Sequence, residues 1–263
     1  MIIPFSDLHG FIDWYYYICA IRTFWTKPVR DIEIIYEHYD PILWILNVNW
    51  NVRSRRNRAL LIINNDLKFL FSNDNLISFF RNYGGDLVLF IPENLFNVDL
   101  LDRLNVNARS FIYFWSLSSI NLLEPNWNVD VKFYDCWNDD LEGDLRFIQK
   151  RSWGFYIPPN RDLHLIFIGY LNGKPVGSAY FNWISGNIDF GVHVVRDFWR
   201  NRIGTRILFE LLNFAGKMNF NYVSVIRVFR RIMGSSSDFR ARSFYLANNP
   251  SFGFEVLRFN LKR

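Results

Sequence analysis

Hydrophobic and polar positions in the C-terminal half of the chain alternate in blocks with the lengths and periods of strands and helices. A strand is predicted over 129–134, and a helix with an acidic first turn over 139–150. Apolar runs at 163–171 and 175–182 flank Asn172-Gly173, a pair that favours a tight hairpin turn. Further strands are predicted over 187–195, 221–228 and 253–259, and further helices over 203–218 and 238–246. These blocks predict a domain of mixed α/β class.

The stretch that joins the strand at 187–195 to the next helix carries several basic residues. One face of that helix has apolar residues at helical spacing, namely Ile203, Ile207, Leu208, Leu211, Leu212 and Ala215. The turn before it reads Arg200-Asn201-Arg202-Ile203-Gly204-Thr205. A helix start offers unpaired backbone N–H groups and a positive dipole end, which suit phosphate, and arginines add charge-assisted hydrogen bonds. Taken alone, the stretch fits a solvated basic turn equally well.

The N-terminal half predicts a smaller α/β unit. Its predicted elements are helices over 11–25, 76–83 and 100–104, strands over 41–48, 59–63, 86–91 and 109–117, and a hairpin turn at Asn64-Asn65. This half has no glycine-rich phosphate loop, metal cluster or nucleophile motif. Residues 118–128 contain Pro125 and several polar residues, which favours a linker. We therefore expect two domains, 1–125 and 126–263.

Composition narrows the classes of function. Half of the 263 residues are hydrophobic and 19% are aromatic, so the chain can bury a sizeable core and disorder is not expected. The net charge of +5 suits anionic partners but is mild for a dedicated nucleic-acid binder. The one dense basic run, Arg53, Arg55, Arg56 and Arg58, fits a solvated turn better than a nucleic-acid surface.

Cysteine usage and the absence of long apolar runs bear on the compartment. Cys19 and Cys136 lie far apart, without metal-ligand spacing and among apolar residues, which predicts buried free thiols and an intracellular, cytoplasmic location. The sequence has no run of 18 apolar residues and no secretory leader, so no membrane partner is expected.

The order of elements over 126–263, with its motifs, resembles the GCN5-related N-acetyltransferase (GNAT) superfamily. The most specific part, IDFGVHVVRDFWRNRIGTRIL from Ile188, looks like the fourth strand and pyrophosphate turn of that family. The segment from Asp238 to Tyr245, followed by Phe252-Gly253-Phe254, looks like its Asn-x-x-Ala-x-x-x-Tyr helix and the Gly-Phe of its last strand. Residues 1–125 faintly resemble the degenerate GNAT-like half of two-domain members.

The resemblance implies acetyl-CoA as co-substrate and no metal. The thioester and pantetheine arm would lie along backbone groups of Val192, His193 and Val194, and an N–H near Val194 would hold the thioester oxygen as negative charge develops. The pyrophosphate would lie on the N–H groups of Arg200, Asn201, Arg202, Ile203, Gly204 and Thr205. The family has glycine where this chain has Arg202, so the arginine must swing outward or cofactor binding weakens.

The implied reaction is attack of a neutral amine on the thioester, directly in a ternary complex. Because alkyl amines have pKa values of about 10, a general base is needed. Asp189 is the first candidate and His193, predicted on the same face of the strand, is the second. Tyr245 matches the tyrosine that protonates the leaving thiolate. Strand 221–228 lacks the glutamate that many relatives carry there.

The sequence therefore predicts an N-acetyltransferase that acts on a small-molecule or protein amine. We expect the domain 1–125 to shape the acceptor site or to mediate homodimerisation. Arg202 and the missing glutamate leave open a non-catalytic GNAT-like protein that binds acyl-CoA or serves as an interaction module. A nucleic-acid-binding protein is a third alternative.

Overall fold

The computed structural model of the chain describes residues 2–4, 29–39, 42–50, 57–62, 78 and 87–260. Several predicted features lie outside these residues: the helix over 11–25, the turn at Asn64-Asn65, the basic residues Arg53, Arg55 and Arg56, Cys19, and the helix over 76–83 apart from Ser78.

After residue 126 the strands and helices follow the predicted order, whereas the first two strands were not predicted. In chain order they are β1 (Ile2–Pro4), β2 (Val29–Tyr39), β3 (Ile42–Trp50), β4 (Asn57–Ile62), β5 (Leu87–Pro92), α1 (Asp99–Arg103), β6 (Asn105–Ser116), β7 (Val129–Tyr134), α2 (Asp139–Trp153), β8 (His164–Leu171), β9 (Lys174–Asn182), β10 (Asn187–Val194), α3 (Ile203–Lys217), β11 (Tyr222–Val228), α4 (Ser236–Ala247) and β12 (Phe252–Asn260). The mixed α/β class is confirmed, as is the order of elements after residue 126 that the family resemblance implies.

The chain folds into two compact units, each built from more than one segment of the sequence. One unit comprises residues 1–112, 228–239 and 252–263, and the other comprises 113–227 and 240–251. The boundary near Pro125 stays a prediction.

The first unit combines antiparallel and parallel strand pairs. Strands β1 to β4 pair antiparallel in sequence, β4 pairs parallel with β5, and β5 pairs antiparallel with β12. Inside this unit Arg109 donates two hydrogen bonds, of 2.9 and 3.0 Å, to the buried carboxylate of Glu255. The guanidinium lies between the rings of Phe96 and Phe229, at 4.6 and 4.5 Å. This pair is structural, because both charges are buried and satisfied.

In the second unit, β7, β8, β9 and β10 pair antiparallel in sequence, and β10 pairs parallel with β11. The hairpin between β8 and β9 turns at Asn172 and Gly173, whose φ values of 51° and 75° match the predicted turn. The close approach of α3 to the sheet depends on Gly177, since a Cβ there would lie 2.7 Å from Ile207 Cδ1.

Helices α2 and α3 cover the sheet with apolar faces. Leu141, Leu145 and Ile148 of α2 are buried against β8 and β9, and each contributes roughly 1.5–3 kcal/mol by burial. The helix begins at Asn138, whose side chain accepts from the Leu141 N–H at 2.8 Å, and ends at Gly154 with φ 94°. The predicted apolar face of α3 is buried along its whole length, which confirms the helical period read from the sequence.

The structure bears on the predicted burial of the cysteines and on membrane-spanning helices. Cys136 is a free, exposed cysteine, so its predicted burial is wrong. Among the described residues, no helix has the length and apolar character needed to cross a bilayer.

Candidate active site

Strand β10 contains a bulge two residues long. Asp189 pairs with Tyr180 of β9, yet the next paired residue, Val192, lies opposite Ala179. The intervening Phe190 and Gly191 have φ values of 63° and 82°. Because the insertion has an even number of residues, Asp189 and His193 keep the same face of the sheet, as the sequence predicts.

Beyond the bulge, one edge of β10 is open. In the described chain β10 pairs with β11 only at Asn187 and Ile188. The Val195 N–H donates to Val176 of β9 at 2.9 Å, so the N–H and C=O of Val194 point to the opposite edge by the alternation of a strand. An extended ligand with amide groups can therefore lie along this edge.

Tyr245 binds a backbone group of the open edge, next to the bulge. Its hydroxyl oxygen accepts the Val192 N–H at 3.1 Å, and its ring packs against Tyr113, Trp115 and Phe244. A Cβ on Gly191 would lie 2.6 Å from the hydroxyl, so this approach requires glycine. Burial raises the pKa of Tyr245 to about 12, against the opposing effects of the Val192 N–H and Arg227. The phenol is therefore protonated at neutral pH.

Asp189 is a carboxylate held by three side-chain donors. His164 Nε2 lies 2.8 Å from Asp189 Oδ2, Asn182 Nδ2 donates to the same oxygen at 3.0 Å, and Asn187 Nδ2 donates to Oδ1. Burial acts to raise the pKa of Asp189, but these hydrogen bonds outweigh it and lower the pKa below its ordinary value. The carboxylate is thus ionised and fixed in position, and its role as general base stays a prediction.

The hydrogen bonds of His164 define its tautomer. Its Nδ1 accepts the backbone N–H of Asn160 at 3.0 Å, so the ring proton is on Nε2 and is donated to Asp189. Sequence reasoning missed His164, because its partner is 25 residues away on another strand.

His193 is 2% exposed, with its ring centroid 4.0 Å from that of Trp153 in an edge-to-face contact. Neither ring nitrogen has a hydrogen-bond partner among the described residues. Burial, together with the charge of Arg227, lowers the pKa of His193 to about 3, although the Phe190 backbone acts in the opposite direction. The imidazole is neutral and a weak base, and its candidacy as general base stays a prediction.

The basic turn adopts a conformation that normally selects glycine. Arg200 and Arg202 have φ values of 66° and 54°, and Arg202 is the N-cap of α3. The Arg202 side chain points outward and donates to the Glu124 carbonyl at 3.3 Å. Arg200, Asn201 and Arg202 are exposed, whereas Ile203, Gly204 and Thr205 are buried in the first turn. Two arginines thus adopt positive φ in this turn, and its role as a phosphate site stays a prediction.

Trp199 is a second residue that sequence reasoning missed. Its indole Nε1 donates to the Val194 carbonyl at 2.8 Å, so it occupies a backbone group of the open edge. The guanidinium of Arg240 lies 4.8 Å above the indole ring, which is 38% exposed. A signal was present in the sequence, since a tryptophan directly precedes the basic turn.

The described residues contain no group of three His, Cys, Asp or Glu side chains able to hold a metal ion.

Comparisons with known proteins give similarity in structure alone. No model of a protein family matches the sequence, and no curated protein matches it. A GCN5-related N-acetyltransferase from Kribbella flavida is similar in structure, with 9% identity, 93% of this chain and 94% of that chain covered, and a TM-score of 0.48. Another from Sphaerobacter thermophilus has 13% identity, coverage of 83% and 81%, and a TM-score of 0.40. A GCN5-related N-acetyltransferase-like protein from Streptococcus suis has 12% identity, coverage of 97% and 97%, and a TM-score of 0.42. The solved structures that resemble this chain thus include members of the superfamily that its sequence resembles.

Proposed function

We propose that this chain is an acyl-CoA-dependent N-acyltransferase, most simply one that moves an acetyl group from acetyl-CoA to a primary amine. The observation that carries the proposal is the open edge of β10 beside the start of α3. An extended arm with amide groups suits this edge, where the Val194 N–H is directed outward while Tyr245 holds the Val192 N–H and Trp199 holds the Val194 carbonyl. The phosphates of such a molecule suit the helix start and the basic turn. The exposed free thiol of Cys136 fits a reducing, cytoplasmic compartment.

Charge development in the reaction assigns the first role to β10. As the amine attacks the thioester carbon, the carbonyl oxygen becomes negative, and a fixed N–H group stabilises it. The Val194 N–H points to the open edge, so we assign it to this oxygen. The Val192 N–H is already bonded to Tyr245 and serves to hold the phenol in place.

We assign Tyr245, whose hydroxyl lies against the Val192 N–H at the open edge, to the leaving sulfur. A thiol has a pKa of about 8.5, whereas that of Tyr245 is about 12, so complete proton transfer to the thiolate is uphill by on the order of 5 kcal/mol. Tyr245 therefore stabilises the developing thiolate as a hydrogen-bond donor, and it passes on its proton only as the ammonium of the intermediate supplies another. This is the acid role predicted from the sequence, in a more restricted form.

Asp189 is assigned to the attacking amine. A carboxylate offers roughly four lone-pair sites, and His164, Asn182 and Asn187 use three of them. The remaining site can accept from the ammonium or from a water that removes its proton. Because the pKa of Asp189 is lowered, it acts as an electrostatic anchor for the cation more readily than as a strong base.

A non-catalytic acyl-CoA-binding protein is the second candidate, and a specific observation favours it. The Trp199 indole N–H is bonded to the Val194 carbonyl, and Arg202 stands at the N-cap of α3, with φ 54°, where the family has glycine. Either feature weakens the ternary complex.

Two measurements separate these functions. Calorimetry with acetyl-CoA and with CoA tests binding, and thiol release in the presence of an amine panel tests turnover. If the chain is an enzyme, both binding and turnover are expected, with turnover reduced about 100-fold or more in Tyr245→Phe. Binding without turnover identifies the non-catalytic protein, and absence of heat and of any thermal shift refutes both. Salt-dependent DNA or RNA binding without CoA binding would identify the third alternative.

A further inference from the structure

Phe190 has a conformation and an exposure that the fold alone does not explain. It lies in the β10 bulge with φ 63°, a region that bulky side chains rarely adopt. Its ring is 43% exposed. A strained backbone opposes stability, and such strain concentrates where function requires it.

The contacts of the ring place it beside Asp189. Phe190 meets His164 and Tyr180 edge-to-face, with centroids 6.2 and 6.3 Å apart. His164 in turn holds the Asp189 carboxylate. Tyr180 is the β9 residue paired with Asp189. The exposed ring and the anchored carboxylate therefore share one face of the sheet.

This face is opposite to the side of the basic turn. The Val194 side chain points toward α3, since its Cγ2 lies 3.5 Å from the position of a Cβ on Gly204. Val194 and His193 are neighbours on a strand and point to opposite faces, and Asp189 shares the face of His193. A phosphate-bearing arm on the α3 side leaves the Phe190 side for the second reactant.

We propose that Phe190 is a specificity-determining residue whose ring packs on an aromatic or bulky apolar group next to the amine of the acceptor. The inference rests on the proposed function for the identity of the second reactant. Asp189 supplies the charge that attracts the ammonium, and Phe190 supplies apolar surface one residue away. The substrate class is thus a primary amine with an apolar substituent near the nitrogen, rather than a polyamine or a hydroxylated amine.

Binding without acyl-CoA tests the inference separately from the proposed function. Benzylamine and ethanolamine are titrated into the full chain and followed by saturation-transfer NMR. We expect the wild-type protein to bind benzylamine, and Phe190→Gly to weaken this binding about tenfold while leaving ethanolamine unaffected. Phe190→Leu should retain part of the benzylamine affinity, because it keeps apolar surface at the same position.

A control reports on the backbone. Asn219→Gly changes another residue with positive φ, 60° at the end of α3, and should leave benzylamine binding unchanged. The melting temperature of Phe190→Gly should not fall, since glycine accepts its φ freely. Undetectable benzylamine binding by the wild type, equal binding by Phe190→Gly, or parallel losses for both amines with a lower melting temperature would each overturn the inference. Phe190-dependent binding of benzylamine by a protein that does not bind acetyl-CoA would support the inference while refuting the proposed acyltransferase function.

Discussion

The contact between Gly191 and the Tyr245 hydroxyl can be tested by a double-mutant cycle. In Gly191→Ala, the new methyl group lies 2.6 Å from that oxygen and must displace it from the Val192 N–H. In Tyr245→Phe the oxygen is absent, so the same methyl group meets far less obstruction. We therefore expect the alanine to cost less stability in the phenylalanine background than in the wild type.

The magnitudes follow from two effects. Alanine at φ 82° costs about 1–2 kcal/mol in either background. A buried N–H that loses its acceptor costs about 1–3 kcal/mol, and this loss occurs in Gly191→Ala and in Tyr245→Phe but is counted once in the double variant. The coupling free energy is therefore about 1–3 kcal/mol, which corresponds to roughly 2–12 °C in melting temperature.

Urea unfolding of the four proteins measures this coupling, and Gly173→Ala is the matched control. Gly173 has φ 75°, and a Cβ there meets nothing within 4 Å, so alanine at this position reports the backbone cost alone. If Gly191→Ala costs no more than Gly173→Ala, or costs the same with and without the hydroxyl, the contact between bulge and phenol is not as described.

Three further perturbations address the turn, the open edge and the buried imidazole. Arg202→Gly should bind CoA several-fold more tightly by calorimetry, because glycine adopts φ 54° without strain and lets the backbone of the helix start adjust to the phosphates; an equal gain in Arg202→Ala, which removes the same side chain, would refute this backbone explanation. Trp199→Phe should also bind CoA more tightly, since it frees the Val194 carbonyl, and CoA should change the tryptophan fluorescence of the wild type more than that of the variant; unchanged or weaker affinity would count against the displacement. The pKa of His193 is about 3 in the folded protein and 6.5 in the unfolded chain. The contribution of its neutral imidazole to the free energy of unfolding is therefore present above pH 6.5 and is lost as the pH falls toward 3, at about 1.4 kcal/mol per pH unit. His193→Phe should remove this loss in urea unfolding at pH 7 and pH 5, and an identical pH dependence in both proteins would contradict the neutral, buried state.

Local signals predicted the elements of the second unit well. Asn172-Gly173 specifies its turn through positive φ alone, and the apolar period of α3 required no distant information. The end of α2 was missed by three residues, although Gly154 with φ 94° is the stop signal and was readable in the sequence.

Features that join distant segments could not be read in this way. The surroundings of Asp189 come from His164 and Asn182 on two other strands, so the sequence indicated an acidic residue but not that its lone pairs are largely used. A two-residue bulge preserves the side-chain alternation on both sides, so periodicity does not reveal it. The division into units depends on which strands pair, and strand pairing is not encoded locally.

The fixed tautomer of His164 has a spectroscopic consequence. Its Nε2 proton lies between a buried ring and an ionised carboxylate, and Asn160 prevents the ring from turning over without losing a second bond. Such a proton leaves to water slowly and should give its own downfield line in a one-dimensional proton spectrum. That line would report, without isotope labelling, whether a bound molecule disturbs the bulge.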